Sequence, residues 1–433
     1  MVERAGVRLS VRGAGEVIGR VQVPGDKSIS HRALILAALA EGHSTLTGVS
    51  RCEDVAHTRA ALTRFGVEFT DLDSGAVRVR GGLRNEPDDV LDCGNSGTGM
   101  RLLSGVCAGV DGVSVLTGDK YLRRRPMDRI AIPLRQMGAR VDGRHDGGFA
   151  PLVIRGGQVE GITYRSPVAS AQIKSCVLLA GLYAAGRTTV IEPKTTRRHT
   201  EEMLQAAGVK IRVEGTAVTV HPGPLAPVDH HVPNDPSQAA FWAVAGLLAG
   251  EIEAPGLYLG HGRADFVGVL ERMGGDIEVD RASGTVVARA SHLRGVEIDA
   301  GDVPGILDEI PVLAVAAAAA AGTTVISGAK ELRAKESDRI ATTAAMLRAF
   351  GVQAEERPDG MVIHGRPEFS AAWVDSHGDH RIAMAAAVAA ACRAQGESLI
   401  EGWEAVATSY PGFATDLENL SGLRVSETPG APD

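Results

Sequence analysis

The chain has 433 residues, 44% of them apolar, which is enough to form more than one domain with a large core. Its formal net charge of −8 argues against a general nucleic-acid-binding surface. The five cysteines are scattered without a Cys-x-x-Cys pair, which favours reduced thiols over a disulfide framework or a zinc site. No apolar run approaches the roughly 20 residues that a membrane span needs, and Met1–Arg20 lacks the apolar core of a signal peptide. We therefore expect a cytoplasmic protein.

The first predicted element that carries chemistry is a polar loop leading into a helix. It brings Lys27 and Arg32 together directly before the apolar run Ala33–Ala40. Free backbone N–H groups at a helix N-terminus attract anions, and the two cations add charge and hydrogen-bond donors. The alternative is an ordinary helix start in which Ser28 or Ser30 is the N-cap.

The same design occurs six times: a polar helix start, a helix rich in Ala and Leu, a glycine and a β-rich segment. The starts recur at intervals of about 70 residues, which is too long for a solenoid repeat and fits a unit of several elements. The six predicted helix starts are Asp26–Ser28, Asn95–Arg101, Ser170–Gln172, Asp235–Gln238, Asp308–Pro311 and Gly378–Arg381.

A second piece lies between consecutive starts, namely a helix that ends on a glycine and is followed by a strand. Glycine is the residue that a helix C-terminus favours at this point. Each repeat is therefore predicted to be βαβαββ, and six repeats divide naturally into three plus three. The segments that carry this second piece are Ala60–Phe69, Ile130–Val141, Glu201–Ile211, Val267–Ile277 and Ile340–Gln353.

Two proline-containing segments mark where we expect the chain to cross between domains. Val232–Asp235 echoes Val23–Asp26, and each precedes a helix start. We therefore predict an inserted domain of residues 23–235 and a second domain formed by residues 1–22 and 236–433. The site is expected in a cleft between these domains, where closure excludes water from a reaction.

Three motifs in the first half of the chain supply candidate anion ligands. The Gly-rich stretch around Asn95 and Gly97 lets a ligand approach backbone N–H groups, although it is neither a Walker loop nor a dinucleotide fingerprint. Arg125 stands next to a proline expected to open a helix, which favours an inward side chain. Ser170 and Gln172 are short neutral donors. Taken singly, a tight turn, a solvated charge run and a capped helix with a buried amide are ordinary alternatives.

The second half of the chain adds acids as well as cations. Asp308 precedes a long apolar helix, where it is either a partner of the helix dipole or a base facing a cationic cleft. Lys335 and Arg339 are spaced i,i+4, which predicts one shared helix face, and Glu336 lies beside them. Arg381 stands at the last helix start. An exposed, salt-bridged helix is the alternative for the charged cluster.

The motifs weigh more together than singly. A net-acidic chain that places cations at equivalent helix starts is predicted to bind small anions there, and Asp308 and Glu336 are candidate proton-transfer groups. The cations in question are Lys27, Arg32, Arg125, Lys335, Arg339 and Arg381.

Six motifs occur in order between about Arg8 and Phe413: Asp-Lys-Ser-x-Ser-His-Arg, Gly-Asn-Ser-Gly-Thr, Arg-Arg-Pro-Met, Ser-Ala-Gln-x-Lys-Ser, Lys-Glu-Ser-Asp-Arg and Gly-Asp-His-Arg. Together they resemble the 5-enolpyruvylshikimate-3-phosphate synthase family. The resemblance implies a two-domain inside-out α/β barrel, the enolpyruvyl transferase fold, with three βαβαββ repeats in each domain. It also implies transfer of the enolpyruvyl group of phosphoenolpyruvate to the 5-hydroxyl of shikimate 3-phosphate with release of phosphate. That reaction serves aromatic amino-acid biosynthesis and uses no metal or organic cofactor.

The resemblance also implies roles for individual residues. Asp308 is expected to be the base for the hydroxyl, and either Lys27 or Glu336 the acid for the methylene carbon. Gly97 is expected to leave room for a compact phosphonate such as glyphosate. Shikimate 3-phosphate is expected to contact Lys27, Ser28, Arg32, Ser170, Gln172, Asp308 and Lys335. Phosphoenolpyruvate is expected to contact Lys27, Asn95, Gly97, Arg125, Gln172, Arg339 and Arg381.

Two positions depart from the family pattern. Ala171 stands where many relatives have a second serine, which removes one phosphate contact. Thr408 stands where many relatives have a lysine, and the residue that replaces this lysine is open.

Two other functions are alternatives. The sister transferases that act on UDP-N-acetylglucosamine usually carry a cysteine where this chain has Lys120, and open with Lys-Asn where this chain has Lys27-Ser28. A non-catalytic protein that binds anions or RNA ends is disfavoured by the acidic net charge and by the pair Asp308 and Glu336. We expect two small-molecule substrates as partners, no nucleic acid, no membrane and a monomer.

Overall fold

A computed structural model describes residues 6–83 and 86–430 of the chain. These residues form a mixed α/β structure that divides into two compact units. The inserted unit comprises Gly25–Val232, and the discontinuous unit joins the segment that ends at Pro24 to the segment that begins at Pro233. Among the described residues, no helix has both the length and the apolar character needed to cross a membrane.

The described residues contain fourteen helices, several of them a single turn long. In chain order these are α1 (Lys27–Leu39), α2 (Glu53–Arg64), α3 (Gly97–Gly109), α4 (Asp128–Gln136), α5 (Arg144–Gly147), α6 (Ala171–Gly181), α7 (His199–Ala206), α8 (Pro236–Ala249), α9 (Asp265–Arg272), α10 (Val303–Ile306), α11 (Ile310–Ala319), α12 (Arg339–Ala349), α13 (His380–Arg393) and α14 (Phe413–Ser421). Short 3-10 turns occupy Leu122–Arg124, Lys330–Ala334 and Trp403–Thr408.

The same part of the chain contains twenty-six strands. They are β1 (Val7–Arg12), β2 (Val17–Arg20), β3 (His43–Thr47), β4 (Glu68–Asp71), β5 (Val77–Arg80), β6 (Leu91–Asp92), β7 (Gly112–Thr117), β8 (Arg140–Gly143), β9 (Phe149–Gly156), β10 (Thr163–Arg165), β11 (Thr188–Ile191), β12 (Ile211–Glu214), β13 (Ala217–Val220), β14 (His230–His231), β15 (Gly250–Ala254), β16 (Asp276–Asp280), β17 (Thr285–Arg289), β18 (Glu297–Ile298), β19 (Thr323–Ile326), β20 (Gln353–Arg357), β21 (Gly360–His364), β22 (Phe369–Ser370), β23 (Trp373–Asp375), β24 (Ala394–Gln395), β25 (Glu397–Glu401) and β26 (Val425–Pro429).

Six four-stranded sheets share one topology. In each sheet the first two strands pair in parallel, and the remaining pairs are antiparallel. The inserted unit holds the sheets ordered β14-β3-β5-β4, β6-β7-β9-β8 and β10-β11-β13-β12. The discontinuous unit holds the sheets ordered β2-β15-β17-β16, β18-β19-β21-β20 and β23-β25-β1-β26. Each sheet with its two helices is one βαβαββ repeat, and each unit has three repeats.

The strands nearest the crossings complete sheets whose other strands are distant in sequence. In the discontinuous unit, β2 pairs in parallel with β15, placing Gly19 opposite Ile252. Likewise β1 pairs antiparallel with β25, placing Leu9 opposite Ile400. In the inserted unit, β14 lies beside β3. The repeat is thus preserved in space although the chain supplies these strands out of order.

Three helices in each unit are buried on nearly every side. Thirteen of the fourteen residues of α8 and of α13 are buried, and α3 has only its two ends partly open. Helices that are apolar all round belong in a protein interior, whereas an amphipathic helix lies at a surface. Their alanines and glycines allow close approach, so the sheets lie outside the helices in each unit. The buried helices are α1, α3 and α6 in the inserted unit and α8, α11 and α13 in the discontinuous unit.

The predicted glycines at the ends of the second helices are confirmed. Each has a positive φ, between 80° and 102°, and lies two residues past the last residue of its helix. Glycine has no Cβ, so it adopts this left-handed backbone at little cost in energy. It can therefore end the helix and turn the chain into the next strand. The five positions are Gly66, Gly138, Gly208, Gly274 and Gly351.

We predict opposite effects for two Gly→Ala substitutions in helices. A Cβ at Gly105 of α3 would lie 2.2 Å from the carbonyl oxygen of Cys176 in α6, so Gly105→Ala must separate two buried helices. Its expected cost in the free energy of unfolding is about 1–3 kcal/mol. A Cβ at Gly268 of α9 meets nothing within 4 Å, so Gly268→Ala is expected to stabilise by about 0.5–1 kcal/mol. Urea unfolding of both variants tests this, and a shift of the same sign in both would contradict it.

Candidate active site

The N-terminus of α1 is capped by Asp26, whose Oδ1 accepts a hydrogen bond of 2.8 Å from the backbone N–H of Ile29. The alternative in which Ser28 or Ser30 is the cap is therefore wrong. Ser30 lies inside the helix, so its side chain cannot reach back to the first N–H groups. It accepts instead from the backbone N–H of Ser50 at 2.9 Å. Ser28 remains free of the capping role.

Lys27 lies in the first turn of α1 and forms an ion pair with a residue that the sequence did not single out. Its Nζ donates to Oδ2 of Asp54 in α2 at 2.8 Å, and the two side chains are only 15% and 8% exposed. A carboxylate at this distance attracts the ammonium and holds it beside the helix N-terminus.

Arg32, one turn further along α1, is buried and held by neutral oxygens. Its Nε donates to Oγ1 of Thr200 at 2.7 Å, one Nη donates to the carbonyl of Ser28 at 2.9 Å, and the other donates to Oγ of Ser175 at 2.7 Å. The guanidinium is thereby fixed between α1, α6 and α7.

His31 joins three helices behind these cations. Its Nδ1 lies 2.7 Å from Oγ1 of Thr58, and its Nε2 lies 3.3 Å from Oγ of Ser96, the N-cap of α3. Burial lowers the pKa of His31 well below its usual range, and the neighbouring charges of Lys27 and Arg32 lower it further. The imidazole is therefore neutral at physiological pH.

The Gly-rich loop places Arg125 against the N-terminus of α3. A Cβ at Gly97 would lie 2.6 Å from an Nη atom of Arg125, so only glycine allows this approach. Arg125 is 6% exposed, as the sequence predicts for an inward side chain. Pro126, however, does not open a helix, because α4 begins two residues later at Asp128.

Asn95 and Gln172 are both tied to other side chains in the inserted unit. Asn95 Nδ2 donates to Oδ2 of Asp119 at 2.7 Å. Gln172 Nε2 donates to Oγ1 of Thr98 at 2.9 Å, while its Oε1 accepts from Arg101. Gln172 therefore links α6 to the start of α3, and Arg101 is a cation of the site that sequence reasoning missed.

In the discontinuous unit, Asp308 lies among three cations. Its Oδ1 accepts from Nζ of Lys335 at 3.2 Å and from an Nη of Arg339 at 3.3 Å. Its backbone carbonyl accepts from an Nη of Arg381 at 2.9 Å. Four of the predicted residues are thus brought together around Asp308, whose carboxylate accepts from Lys335 and Arg339 and whose backbone carbonyl accepts from Arg381.

Arg339 is the most enclosed of these cations, with a side chain 1% exposed. It donates to Oδ2 of Asp379 at 2.8 Å and to Oε2 of Glu336 at 2.6 Å. Burial alone would lower the pKa of Arg339, but the carboxylates of Asp379, Glu336 and Asp308 outweigh it and raise the pKa. Asp379 lies in the last predicted helix start, and its hydrogen bonds with Arg339 were not predicted from the sequence.

The predicted shared helix face of Lys335 and Arg339 is wrong. Helix α12 begins at Arg339 with Asp338 as its cap, and Lys335 has extended backbone outside any helix. The two cations meet because the turn before α12 brings both to Asp308. The spacing was right for contact, but the geometry that produces the contact is a turn.

This fold is shared with the enolpyruvyl transferases. The enolpyruvyl transferase NikO from Streptomyces tendae superposes with a TM-score of 0.79 at 20% identity, covering 99% of this chain and all of that one, which shows the fold alone. An EPSP synthase from Acinetobacter baumannii superposes with a TM-score of 0.84 at 39% identity, covering 98% of this chain and all of that one. The predicted fold class, two-domain inside-out α/β with six repeats, is confirmed.

The chain belongs to the family of EPSP synthases, 3-phosphoshikimate 1-carboxyvinyltransferases, whose model matches residues 11–417. A 3-phosphoshikimate 1-carboxyvinyltransferase of Syntrophotalea carbinolica is 48% identical over 93% of this chain and 96% of its own length. One of Herpetosiphon aurantiacus is 48% identical over 94% of this chain and 98% of its own length. The predictions of an enzyme, of EPSP synthase function and of a place in the shikimate pathway and aromatic amino-acid biosynthesis are confirmed. The UDP-N-acetylglucosamine alternative is not favoured.

We predict that His31 makes stability depend on pH. Because folding lowers its pKa, the unfolded chain binds a proton near the ordinary value of about 6.5 while the folded chain does not. The free energy of unfolding should therefore fall as pH drops below about 6.5. His31→Asn should remove this part of the slope in urea unfolding measured between pH 7.5 and 5.

A matched control is His377→Asn, which changes an exposed histidine with left-handed backbone that asparagine tolerates. This control should keep the slope of the parent. Parallel curves for the parent and His31→Asn would contradict the assignment.

Proposed function

We propose that the enzyme binds shikimate 3-phosphate and phosphoenolpyruvate and transfers the enolpyruvyl group by addition and elimination. The observation that carries the proposal is the Asp308 carboxylate, hydrogen-bonded to Lys335 and Arg339 beside Glu336. A carboxylate that shares its site with several fixed cations is suited to take a proton from a hydroxyl next to anionic groups.

In this proposal the acceptor substrate is held mainly by hydroxyl and cationic groups. Shikimate 3-phosphate contacts Ser28 and Arg32 on α1, Ser170 and Gln172 at the start of α6, and Lys335 in the discontinuous unit. Ser170 caps α6 by accepting from the N–H of Ile173 at 3.4 Å, so it stands where free N–H groups favour an anion. The support is the placement of hydrogen-bond donors at two helix N-termini.

The second substrate is proposed to contact donors from both units. Phosphoenolpyruvate contacts Lys27, the Asn95–Gly97 loop, Arg125 and Gln172 in the inserted unit. In the discontinuous unit Arg339 and Arg381 add two guanidinium groups, which suit the carboxylate and phosphate of this substrate.

The chemical steps balance with two proton-transfer groups. Asp308 takes the proton of the 5-hydroxyl while the hydroxyl oxygen bonds to the central carbon of phosphoenolpyruvate. At the same time Lys27 or Glu336 gives a proton to the methylene carbon. The tetrahedral intermediate then loses phosphate, and the group that protonated the methylene carbon takes a proton back from the new methyl group. The hydroxyl proton held by Asp308 balances the phosphate, which leaves as hydrogen phosphate. The surrounding cations stabilise the phosphate as charge builds on it.

We further propose a monomeric cytoplasmic enzyme that acts on these two small molecules without nucleic acid. The absence of a membrane-crossing helix among the described residues and the net charge of −8 support this setting. Thr408, which stands where many relatives have a lysine, donates its hydroxyl proton to the carbonyl of Ala405 at 2.7 Å.

We predict that Asp308→Asn and Glu336→Gln lose turnover and keep substrate binding. Both changes preserve shape and remove a proton-transfer group, which typically costs about 10²–10⁴ in rate. The measurement is phosphate release from shikimate 3-phosphate and phosphoenolpyruvate, with substrate binding followed by calorimetry. A kcat equal to that of the parent would remove the substituted residue from the mechanism.

The same assay tests the alternative function. Phosphate release by the parent with UDP-N-acetylglucosamine in place of shikimate 3-phosphate would instead support the sister activity.

We predict that Gly97→Ala weakens phosphoenolpyruvate binding. The added Cβ forces the Arg125 guanidinium away from the start of α3, and loss of a charge-assisted hydrogen bond should raise KM for phosphoenolpyruvate about tenfold or more. The parent is expected to be inhibited by millimolar glyphosate and the variant less so, since the Cβ fills the space. Gly268→Ala is the matched control. An unchanged KM for phosphoenolpyruvate in Gly97→Ala would contradict the proposed position of Arg125.

A further inference from the structure

Two helices of the inserted unit are joined by a buried ion triad outside the residues assigned above. Lys174 of α6 is 1% exposed, and its Nζ lies 2.8 Å from Oε2 of Glu192 and 2.7 Å from Oε1 of Glu201. Glu192 also accepts from the hydroxyl of Thr196 at 2.5 Å. Separating one member of such a buried set would leave the remaining charges buried without a partner, which is strongly unfavourable. The triad therefore fixes α7 and the loop before it against α6.

The neighbours of this triad in sequence are the residues that hold Arg32. Ser175 follows Lys174 in α6, and Thr200 precedes Glu201 in α7. The triad therefore sets the register that brings the two hydroxyls to 2.6 Å from each other. Both lie 2.7 Å from the guanidinium of Arg32, Thr200 at Nε and Ser175 at Nη2.

The proton positions of the two hydroxyls follow from their partners. A hydroxyl has one proton to donate, and Ser175 gives its proton to the carbonyl of Ala171 at 2.6 Å. Thr200 must then donate to Ser175, which leaves lone pairs of both oxygens facing Arg32. The Nε and Nη2 edge of the guanidinium thus meets a pair of oxygens spaced like those of a carboxylate, but without their negative charge.

We infer that Thr200 and Ser175 are positioning residues for Arg32, held in register by Lys174 through Glu192 and Glu201. Their neutral oxygens orient the guanidinium without adding a negative charge beside the anionic acceptor substrate. The inference rests on the proposed contact of Arg32 with shikimate 3-phosphate. A carboxylate in the same place would orient Arg32 equally well, but would oppose the binding of an anion.

The test replaces the hydroxyl of Thr200 while keeping its shape. Thr200→Val removes the acceptor of Nε and should raise KM for shikimate 3-phosphate about tenfold or more, with KM for phosphoenolpyruvate and the melting temperature close to those of the parent. Thr200→Ser keeps the hydroxyl and should restore the parent KM. The matched control is Thr189→Val, which removes a hydroxyl that pairs with Thr219 at 2.9 Å between two strands of the same unit.

A second arm asks whether Thr200 acts through Arg32. In an Arg32→Met background, Thr200→Val should change KM for shikimate 3-phosphate no further, because its partner is gone. Ser175→Ala gives an independent variant with the same expected rise in KM, should Thr200→Val fold poorly.

The outcomes separate the inference from the proposed function. A parent enzyme that releases no phosphate from the two substrates defeats the proposed function whatever the variants do. An active parent with an unchanged KM in both Thr200→Val and Ser175→Ala overturns the inference alone. So does an additive effect in the Arg32→Met background, or a Thr200→Ser variant as impaired as Thr200→Val, since either would mean that the hydroxyl does not act on Arg32.

Discussion

The architecture depends on helices that are buried on nearly every side, because such a helix buries its N-terminus as well. The first four N–H groups of a helix have no acceptor inside it and must find one nearby. Polar side chains are therefore required at the buried end, and ligand donors lie beside them. Five of the six buried helices in the described residues, α1, α3, α6, α8 and α13, have a side-chain cap, supplied by Asp26, Ser96, Ser170, Asp235 and Asp379.

Asp379 shows how a cap becomes part of the chemistry. One oxygen accepts from the backbone N–H of Arg381 at 2.9 Å, which starts α13. The other accepts from Nε of Arg339 at 2.8 Å and from the hydroxyl of Ser337 at 3.0 Å. A residue required by helix geometry thus also fixes the guanidinium that contacts Asp308. Structural and catalytic demands fall on the same carboxylate, so neither can be changed independently.

The sequence predicted what is local and missed what is not. A helix, a glycine and a strand occupy one continuous segment, so the repeats and their glycine stops were readable. The partners of the site residues lie far along the chain: Asp54 is 27 positions from Lys27, Thr200 is 168 from Arg32, and Gln172 is 71 from Arg101. Only packing of one helix against another brings these pairs together, and periodicity carries no signal of it.

Two of the buried arginines, Arg32 and Arg339, show why the kind of partner matters. Arg339 is held by carboxylates, which raise its pKa and offset much of its charge. Arg32 is held at three of its N–H groups by two hydroxyls and a carbonyl, which orient it and add no negative charge of their own. In the proposed site for multiply charged anions, carboxylates fix one cation beside the proton-transfer groups, and neutral oxygens orient another that contacts the substrate. The carboxylates of the triad around Lys174 hold α7 in register against α6. The groups that contact Arg32 are then the hydroxyls of Ser175 and Thr200.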